Sequence, residues 1–171
     1  MEALLVIDML NDFVKEGGAL DCGDRARKII PFIRRKIEEF HRKKGLVVFV
    51  CDSHRPDDRE FRLFPRHSVK GTEGARIVDG LPVGPNDIVI EKTRYSAFYK
   101  TGLERALRKH QVRRVHVVGV CTSICVMDTV GDLRDRDYPV IVYRSGVADF
   151  SLEAHRFSLQ RMENIYGAKI L

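Results

Sequence analysis

Two cysteines stand where an apolar run gives way to small polar residues, in Val117-Val118-Gly119-Val120-Cys121-Thr122-Ser123-Ile124-Cys125-Val126. A β-branched run entering a glycine and then a polar turn predicts a strand, a tight turn and the start of a helix. A thiol at a helix N-terminus feels unpaired amides and the positive end of the dipole, which favour thiolate. A buried cysteine also serves as a small inert apolar side chain, so the residues alone leave both readings open. Nucleophilic use requires a base to take the proton and a cation to favour the thiolate. Asp8, directly after the apolar run Leu4 to Ile7, could be the base for Cys125, and Lys92 the cation. Taken singly, Asp8 also reads as a turn residue and Lys92 as a solvated surface lysine.

A second constellation follows the apolar run Leu46 to Val50. Asp52 and His54 lie two apart, His67 follows within an irregular stretch, and Glu60 falls between them. Carboxylate and imidazole in this pattern suit a zinc or iron(II) site, with Glu60 a candidate fourth ligand, although Asp-x-His is short enough to arise without a metal. His41, His110 and His116 fall in helix or strand patterns, and His155 on the last helix; these read as structural or surface residues.

The elements that must position these residues alternate in type. Leu4 to Ile7 is a continuous apolar run typical of a strand buried on both faces and Leu46 to Val50 is a second; Asp87 to Ile90, Val112 to Val118 and Val140 to Tyr143 read as further strands, with Ala168 to Leu171 as a short closing strand. Between them, Ile29, Ile30, Ile33, Ile37 and Phe40 recur at helical spacing behind Asp24, a candidate cap, with Gly45 as the stop. Further helices are expected after Thr101, over about 122–136, and from Ser151. Alternation of this kind predicts an α/β fold: a single-domain three-layer sandwich over 1–171 with a six-stranded, mainly parallel sheet and helices on both faces. Ligands of such sheets bind outside the carboxyl ends of the strands, near the point where strand order reverses. Asp8, the Asp52-Ser53-His54 group, Lys92 and Cys121 to Cys125 all follow strand ends, and a parallel sheet would bring them to one rim. The stretch from Cys51 to about Asp87 holds four of the six prolines and little periodicity, as functional loops do.

Composition narrows the class of partner. With 171 residues, 44% hydrophobic and 32% charged, the chain can bury one substantial core. The formal charge of +6 is spread among acids, as in Arg134-Asp135-Arg136-Asp137, so no nucleic-acid stripe is expected. No apolar run approaches a membrane span, and the four cysteines, Cys22, Cys51, Cys121 and Cys125, have no Cys-x-x-Cys spacing. Reduced thiols and a cytoplasmic location are the resulting expectations.

With these residues in hand, the sequence resembles the nicotinamidase branch of the isochorismatase-like cysteine hydrolases. The likeness runs through six ordered blocks: Val6-Ile7-Asp8-Met9-Leu10-Asn11-Asp12-Phe13, Asp52-Ser53-His54, Arg62-Leu63-Phe64-Pro65-Arg66-His67, Lys70-Gly71-Thr72-Glu73-Gly74, Glu91-Lys92-Thr93-Arg94-Tyr95-Ser96-Ala97-Phe98 and Gly119 to Val126. The resemblance implies that Asp8, Lys92 and Cys125 form a catalytic triad and that Asp52, His54 and His67 hold one divalent metal, zinc first, with iron or manganese as alternatives. Glu60 falls where one bacterial subgroup places an additional carboxylate ligand. It further implies a cis peptide between Val120 and Cys121, an oxyanion hole from the backbone amides of Cys121 and Cys125, and a pyridine ring sandwiched by Phe13, Phe64 and Tyr95. The implied activity is hydrolysis of nicotinamide to nicotinate and ammonia in NAD salvage, with pyrazinamide also accepted. Another small amide or carbamoyl compound is the alternative substrate. The implied partner is a small molecule, with a homo-oligomer left open. Two positions depart from the family pattern: Ser53, where many relatives carry Trp, and Ser123, where Asp is common.

Overall fold

A computed structural model describes residues 1–171. The strands are β1 (Glu2–Ile7), β2 (Leu46–Asp52), β3 (Ile88–Lys92), β4 (Arg114–Val120), β5 (Val140–Ala148) and β6 (Lys169–Ile170). They form one sheet in the order β3-β2-β1-β4-β5-β6, and every pairing is parallel. The expected fold class is therefore observed, with a sheet that is wholly rather than mainly parallel. Strand order reverses between β1 and β4, which makes the carboxyl ends of those two strands the natural ligand crevice.

Each central strand is apolar on both faces because helices cover both. Leu4, Val6, Val47, Phe49, Val118 and Val120 pack toward α1 (Asn11–Val14) and α2 (Asp24–Arg42). Ala3, Leu5, Ile7, Val48, Val50, Val115 and Val117 pack toward α3 (Leu103–Lys109), α4 (Met127–Arg134) and α5 (Leu152–Asn164). The apolar stripe of α2 is buried at Ile29, Ile33, Ile37 and Phe40, as its spacing predicts, while Ile30 stays half-buried at the edge of the stripe.

Several element bounds differ from the sequence expectation, each for a local reason. Helix α2 has Gly23 at its cap position, and Asp24 is its first residue, where its carboxylate takes Arg27 at 2.9 Å. The helix stops at Arg42, with Lys44 in the left-handed region, before Gly45 is reached. Gly102 occupies the cap position of α3, although Thr101 Oγ1 does accept from the Leu103 amide at 3.2 Å. Ser151 caps α5 as expected, accepting from the Ala154 amide at 3.2 Å. Strands β3 and β4 begin and end later than their apolar runs, so Lys92 is the last residue of β3 and not the residue after it. Strand β5 runs five residues past Tyr143, because a register shift lets it resume pairing with β4 at Val147 opposite Gly119 and Ala148 opposite Val120. The helix expected over 122–136 opens instead with a π-wound turn, Thr122–Val126, ahead of α4.

Candidate active site

Sheet register creates the first part of the site. Asp52 and Lys92 are cross-strand partners at the ends of β2 and β3, so their side chains leave the same face of the sheet side by side. Asp8 follows β1, its amide donating to Val50 O at 2.8 Å. Its φ of 49° lies in the left-handed region that aspartate tolerates better than most residues. Beside it Gly119 has φ +120°, and a Cβ there would fall 2.0 Å from Ile7 O. Only glycine lets β4 pass this close to β1, and the chain then turns through a cis peptide between Val120 and Cys121, as the resemblance implied.

These elements bring Asp8, Lys92 and Cys125 together. Lys92 Nζ lies 2.8 Å from Asp8 Oδ2 and 3.4 Å from Cys125 Sγ, and also pairs with Asp52 Oδ1. The Asp52 amide donates to Asp8 Oδ1 at 2.9 Å. A carboxylate oxygen of Asp8 and the Cys125 sulfur lie within 4.8 Å of one another. All three side chains are buried, and Lys92 is only 1% exposed, so it is not the solvated lysine it could have been. Burial pushes Asp8 up to about 6, and the neighbouring Asp52 carboxylate adds to this against the pull of Lys92. Burial works against the charge of Lys92, but Asp52 and Asp8 outweigh it and hold the ammonium firmly protonated.

The resting state of the thiol differs from the sequence expectation. Burial pushes Cys125 well above the ordinary thiol range, against the opposing effect of Lys92. Cys125 is the fourth residue of the π-wound turn and is buried, so desolvation rather than the nearby helix start decides its charge. The thiol rests protonated beside a carboxylate able to receive its proton.

Asp52, His54, Glu60 and His67 converge as the second constellation, with one donor atom from each lying within 4.8 Å of the others. The pair distances are 3.5 Å for His54 Nε2 to Asp52 Oδ2, 3.8 Å for His67 Nε2 to Asp52 Oδ2, and 3.9 and 3.7 Å from Glu60 Oε1 to the same two nitrogens. Ligand bonds of about 2.1 Å in a tetrahedron give edges of about 3.4 Å, close to this set. Both rings are oriented from behind. His54 Nδ1 meets Asp58 Oδ2 at 3.1 Å and His67 Nδ1 donates to Pro65 O at 2.7 Å, which leaves each Nε2 lone pair facing inward. His54 Nε2, which faces Asp52 Oδ2 and Glu60 Oε1, is buried without a hydrogen-bond partner. An orphaned nitrogen aimed between two carboxylate oxygens and a second imidazole is what a bound cation resolves, so these four residues can hold a metal ion. Phe13, Phe61 and Phe64 pack around the His67 ring at 5.5, 5.6 and 6.3 Å and exclude water from it. The loop that carries Glu60 and His67 is pinned by Asp12, whose Oδ2 accepts from the Ser68 amide at 2.7 Å, and by Asn11, whose side-chain Nδ2 donates to Glu73 O at 2.8 Å.

Asp52 joins the two halves: Oδ1 faces Lys92 and Oδ2 faces the histidines. A cavity of about 310 Å³ opens over both, walled by Phe13, Phe64 and Tyr95 and floored by Asp52, Glu60, His67, Cys121 and Cys125. Leu20, Ile124 and Phe150 also line it, and the sequence did not single them out. Asp58 and Asp149 were missed as well. Asp58 supports His54 and takes Arg94 Nη1 at 2.9 Å; its place two residues before Glu60 was the available signal. Asp149 follows the observed end of β5, which apolar patterning had stopped at Tyr143. His41 and His116 are structural, paired with Asp87 at 2.8 Å and stacked on Tyr143 at 5.7 Å. His155 is not merely surface, since its Nδ1 meets Thr122 Oγ1 at 2.9 Å. The four thiols are free.

A doubly wound parallel sheet that gathers a buried thiol, carboxylate and lysine at the carboxyl ends of its strands is the class of α/β protein suited to nucleophilic chemistry on a small molecule. The chain belongs to the isochorismatase family, whose domain matches residues 2–171. It is similar to the nicotinamidase/pyrazinamidase PncA from Bacillus subtilis, at 39% identity and a TM-score of 0.94, with 99% of this chain and 98% of that one covered. Similarity extends to the N-carbamoylsarcosine amidase from Thermoplasma acidophilum, at 37% identity and a TM-score of 0.91, covering 99% and 94% of the two chains. The pyrazinamidase of Pyrococcus horikoshii in complex with zinc is 34% identical at a TM-score of 0.94, covering 99% and 98%. No helix of the chain is long and apolar enough to cross a membrane.

Proposed function

We propose that the chain, acting as one hydrolase domain over 1–171, is a nicotinamidase: a metal-dependent cysteine amidohydrolase that converts nicotinamide and water to nicotinate and ammonia and also accepts pyrazinamide. The observation that carries this is the sharing of Asp52 between the Asp8–Lys92–Cys125 cluster and the Asp52–His54–Glu60–His67 donors, on the floor of one small aromatic-walled cavity. A bound divalent ion, zinc by analogy with the Pyrococcus horikoshii complex, supplies a Lewis acid able to hold a ring nitrogen. Phe13, Phe64 and Tyr95 then flank a planar ring.

In this mechanism Asp8, poised near neutrality, takes the Cys125 proton as the sulfur attacks the carboxamide carbon. Lys92 stays protonated and offsets the charge passing between the sulfur and the carboxylate. The backbone amides of Cys121 and Cys125 receive the developing oxyanion. Collapse breaks the carbon–nitrogen bond, and Asp8 returns its proton to the departing ammonia. Water then adds to the thioester, losing a proton to Asp8, and the thiolate leaves and is reprotonated. Cys125 and Asp8 end as they began.

A second reading, hydrolysis of a carbamoyl compound, is favoured by the likeness to N-carbamoylsarcosine amidase. The cavity lining carries the carboxylates Asp52 and Glu60 and no arginine or lysine, which suits a neutral amide better than a carboxylate-bearing one. Ammonia and nicotinate release by the zinc-loaded protein, compared across nicotinamide, pyrazinamide and N-carbamoylsarcosine, separates the two. Nicotinamide turnover is expected, lost in Cys125→Ala and largely kept in Cys121→Ala, whose contribution is a backbone amide. Untouched nicotinamide alongside cleaved carbamoyl compound would reject the nicotinamidase reading.

A further inference from the structure

We propose that Asp149 is a positioning residue for the Cys125 nucleophile, holding the π-wound turn in register from the end of the neighbouring strand. The inference rests on Cys125 being the nucleophile but not on which amide it attacks.

The turn that carries Cys125 is wound unusually. The Ile124 and Val126 amides both reach Cys121 O, at 3.1 and 3.2 Å, and the second of these is an i→i+5 bond. Winding of this kind is rare and is found as single turns at functional sites. Relaxation to ordinary α winding would rotate Cys125 away from Asp8 and Lys92, so the contacts that hold the turn from outside matter. None of the residues at its start caps it, and Cys121 makes no side-chain cap bond.

Asp149 supplies the cap from another element. Pairing of Ala148 with Val120 brings the residue after β5 beside the residue after β4. From there Asp149 Oδ2 accepts from the Ser123 amide at 2.6 Å, while Oδ1 accepts from the Ser151 amide at 3.3 Å. The side chain is 2% exposed, so water does not compete for either bond. Its backbone is held in turn, since Arg25 Nη2 at the start of α2 donates to Asp149 O at 3.4 Å and to Phe150 O at 2.8 Å. A second tether lies one residue earlier in the turn, where the fully buried Thr122 meets His155 of α5. Asp149 thus takes an amide at the mouth of the turn from outside the turn.

Asp149→Ala and Asp149→Asn separate this role from plain packing. Asparagine keeps an acceptor oxygen for the Ser123 amide; alanine does not. Two readouts are compared with wild type: kcat and KM for nicotinamide, and the rate at which iodoacetamide alkylates Cys125, located by mass spectrometry. For Asp149→Ala, kcat is expected to fall about 100-fold with KM within about threefold, as for an ångström-scale misplacement of a reacting group. Alkylation should slow at least about tenfold, and Asp149→Asn should stay within about threefold of wild type on both readouts. Should Asp149→Ala fail to fold, Asp149→Glu, which displaces the oxygens by one methylene, is expected to show the same loss. Alkylation of Asp149→Ala at the wild-type rate, or a loss in Asp149→Asn as deep as in Asp149→Ala, would overturn the assignment. Alkylation needs no substrate, so a wild-type protein that leaves nicotinamide untouched would reject the nicotinamidase reading while this arm still decides the role of Asp149.

Discussion

Gly119→Ala is the substitution whose cost the structure sets most directly. The new Cβ would lie 2.0 Å from Ile7 O and 2.7 Å from Ile7 N, both backbone atoms of the central strand, so no rotamer change relieves the clash. Alanine at φ +120°, outside even the left-handed helical region, costs about 1–3 kcal/mol in conformational strain. Parting β4 from β1 at this pair adds overpacking of about 1–3 kcal/mol and weakened ladder bonds at about 1 kcal/mol each. The total is on the order of 4 kcal/mol, a large share of the about 5–15 kcal/mol that holds a domain together. Two other glycines calibrate it. Gly17 has φ +76° with open space around its Cβ position, so Gly17→Ala carries the strain alone, about 1 kcal/mol. Gly131 lies within α4, and its Cβ would meet Tyr166 at an ordinary 3.5 Å, so Gly131→Ala should stabilise by about 0.5–1 kcal/mol. Urea unfolding of the four proteins should therefore rank Gly131→Ala above wild type, then Gly17→Ala, then Gly119→Ala. Because Asp8 and Cys121 flank the clash, turnover of Gly119→Ala should fall about 100-fold. A Gly119→Ala protein within 1 kcal/mol of wild type, or no less stable than Gly17→Ala, would refute the close-approach argument.

Two further outcomes test the metal cluster and the surface charges. Metal-free protein should bind one zinc per chain by equilibrium dialysis, and saturating zinc at about 1,000 times Kd should raise unfolding stability by about 4 kcal/mol; His54→Ala and His67→Ala should lose both effects, and unchanged stoichiometry in either would place the ion elsewhere. On α2, hydrogen bonds from Lys43 at 2.6 Å and Lys36 at 3.0 Å bring Glu39 down to about 2. Its folded value lies below its ordinary one, so its contribution is complete above about pH 4.5 and lost as pH falls through about 2. Partial exposure keeps that contribution below about 1 kcal/mol. Urea midpoints should show Glu39→Gln weaker than wild type at pH 7 with the gap closing toward pH 2.5, and a gap that widens on acidification would reverse the sign.

The order of strands and helices, the parallel sheet and the rim on which the chemistry gathers were legible in the sequence, because strands buried on both faces read as unbroken apolar runs and right-handed crossovers restrict topology. Candidate roles for Asp8, Lys92, Cys125, Asp52, His54, Glu60 and His67 were legible too, since each follows a strand end or interrupts a proline-rich loop. Three things needed the tertiary structure. Cross-strand register put Lys92 against Asp52, and no spacing along the chain reports which residues of β2 and β3 face each other. Burial set the resting charge of Cys125, because desolvation depends on every element packed around the thiol and not on its place near a helix start. Asp149 emerged only when the register shift carried β5 past Tyr143 to Ala148: a strand that resumes after an irregularity loses its apolar pattern, while its backbone still pairs with β4.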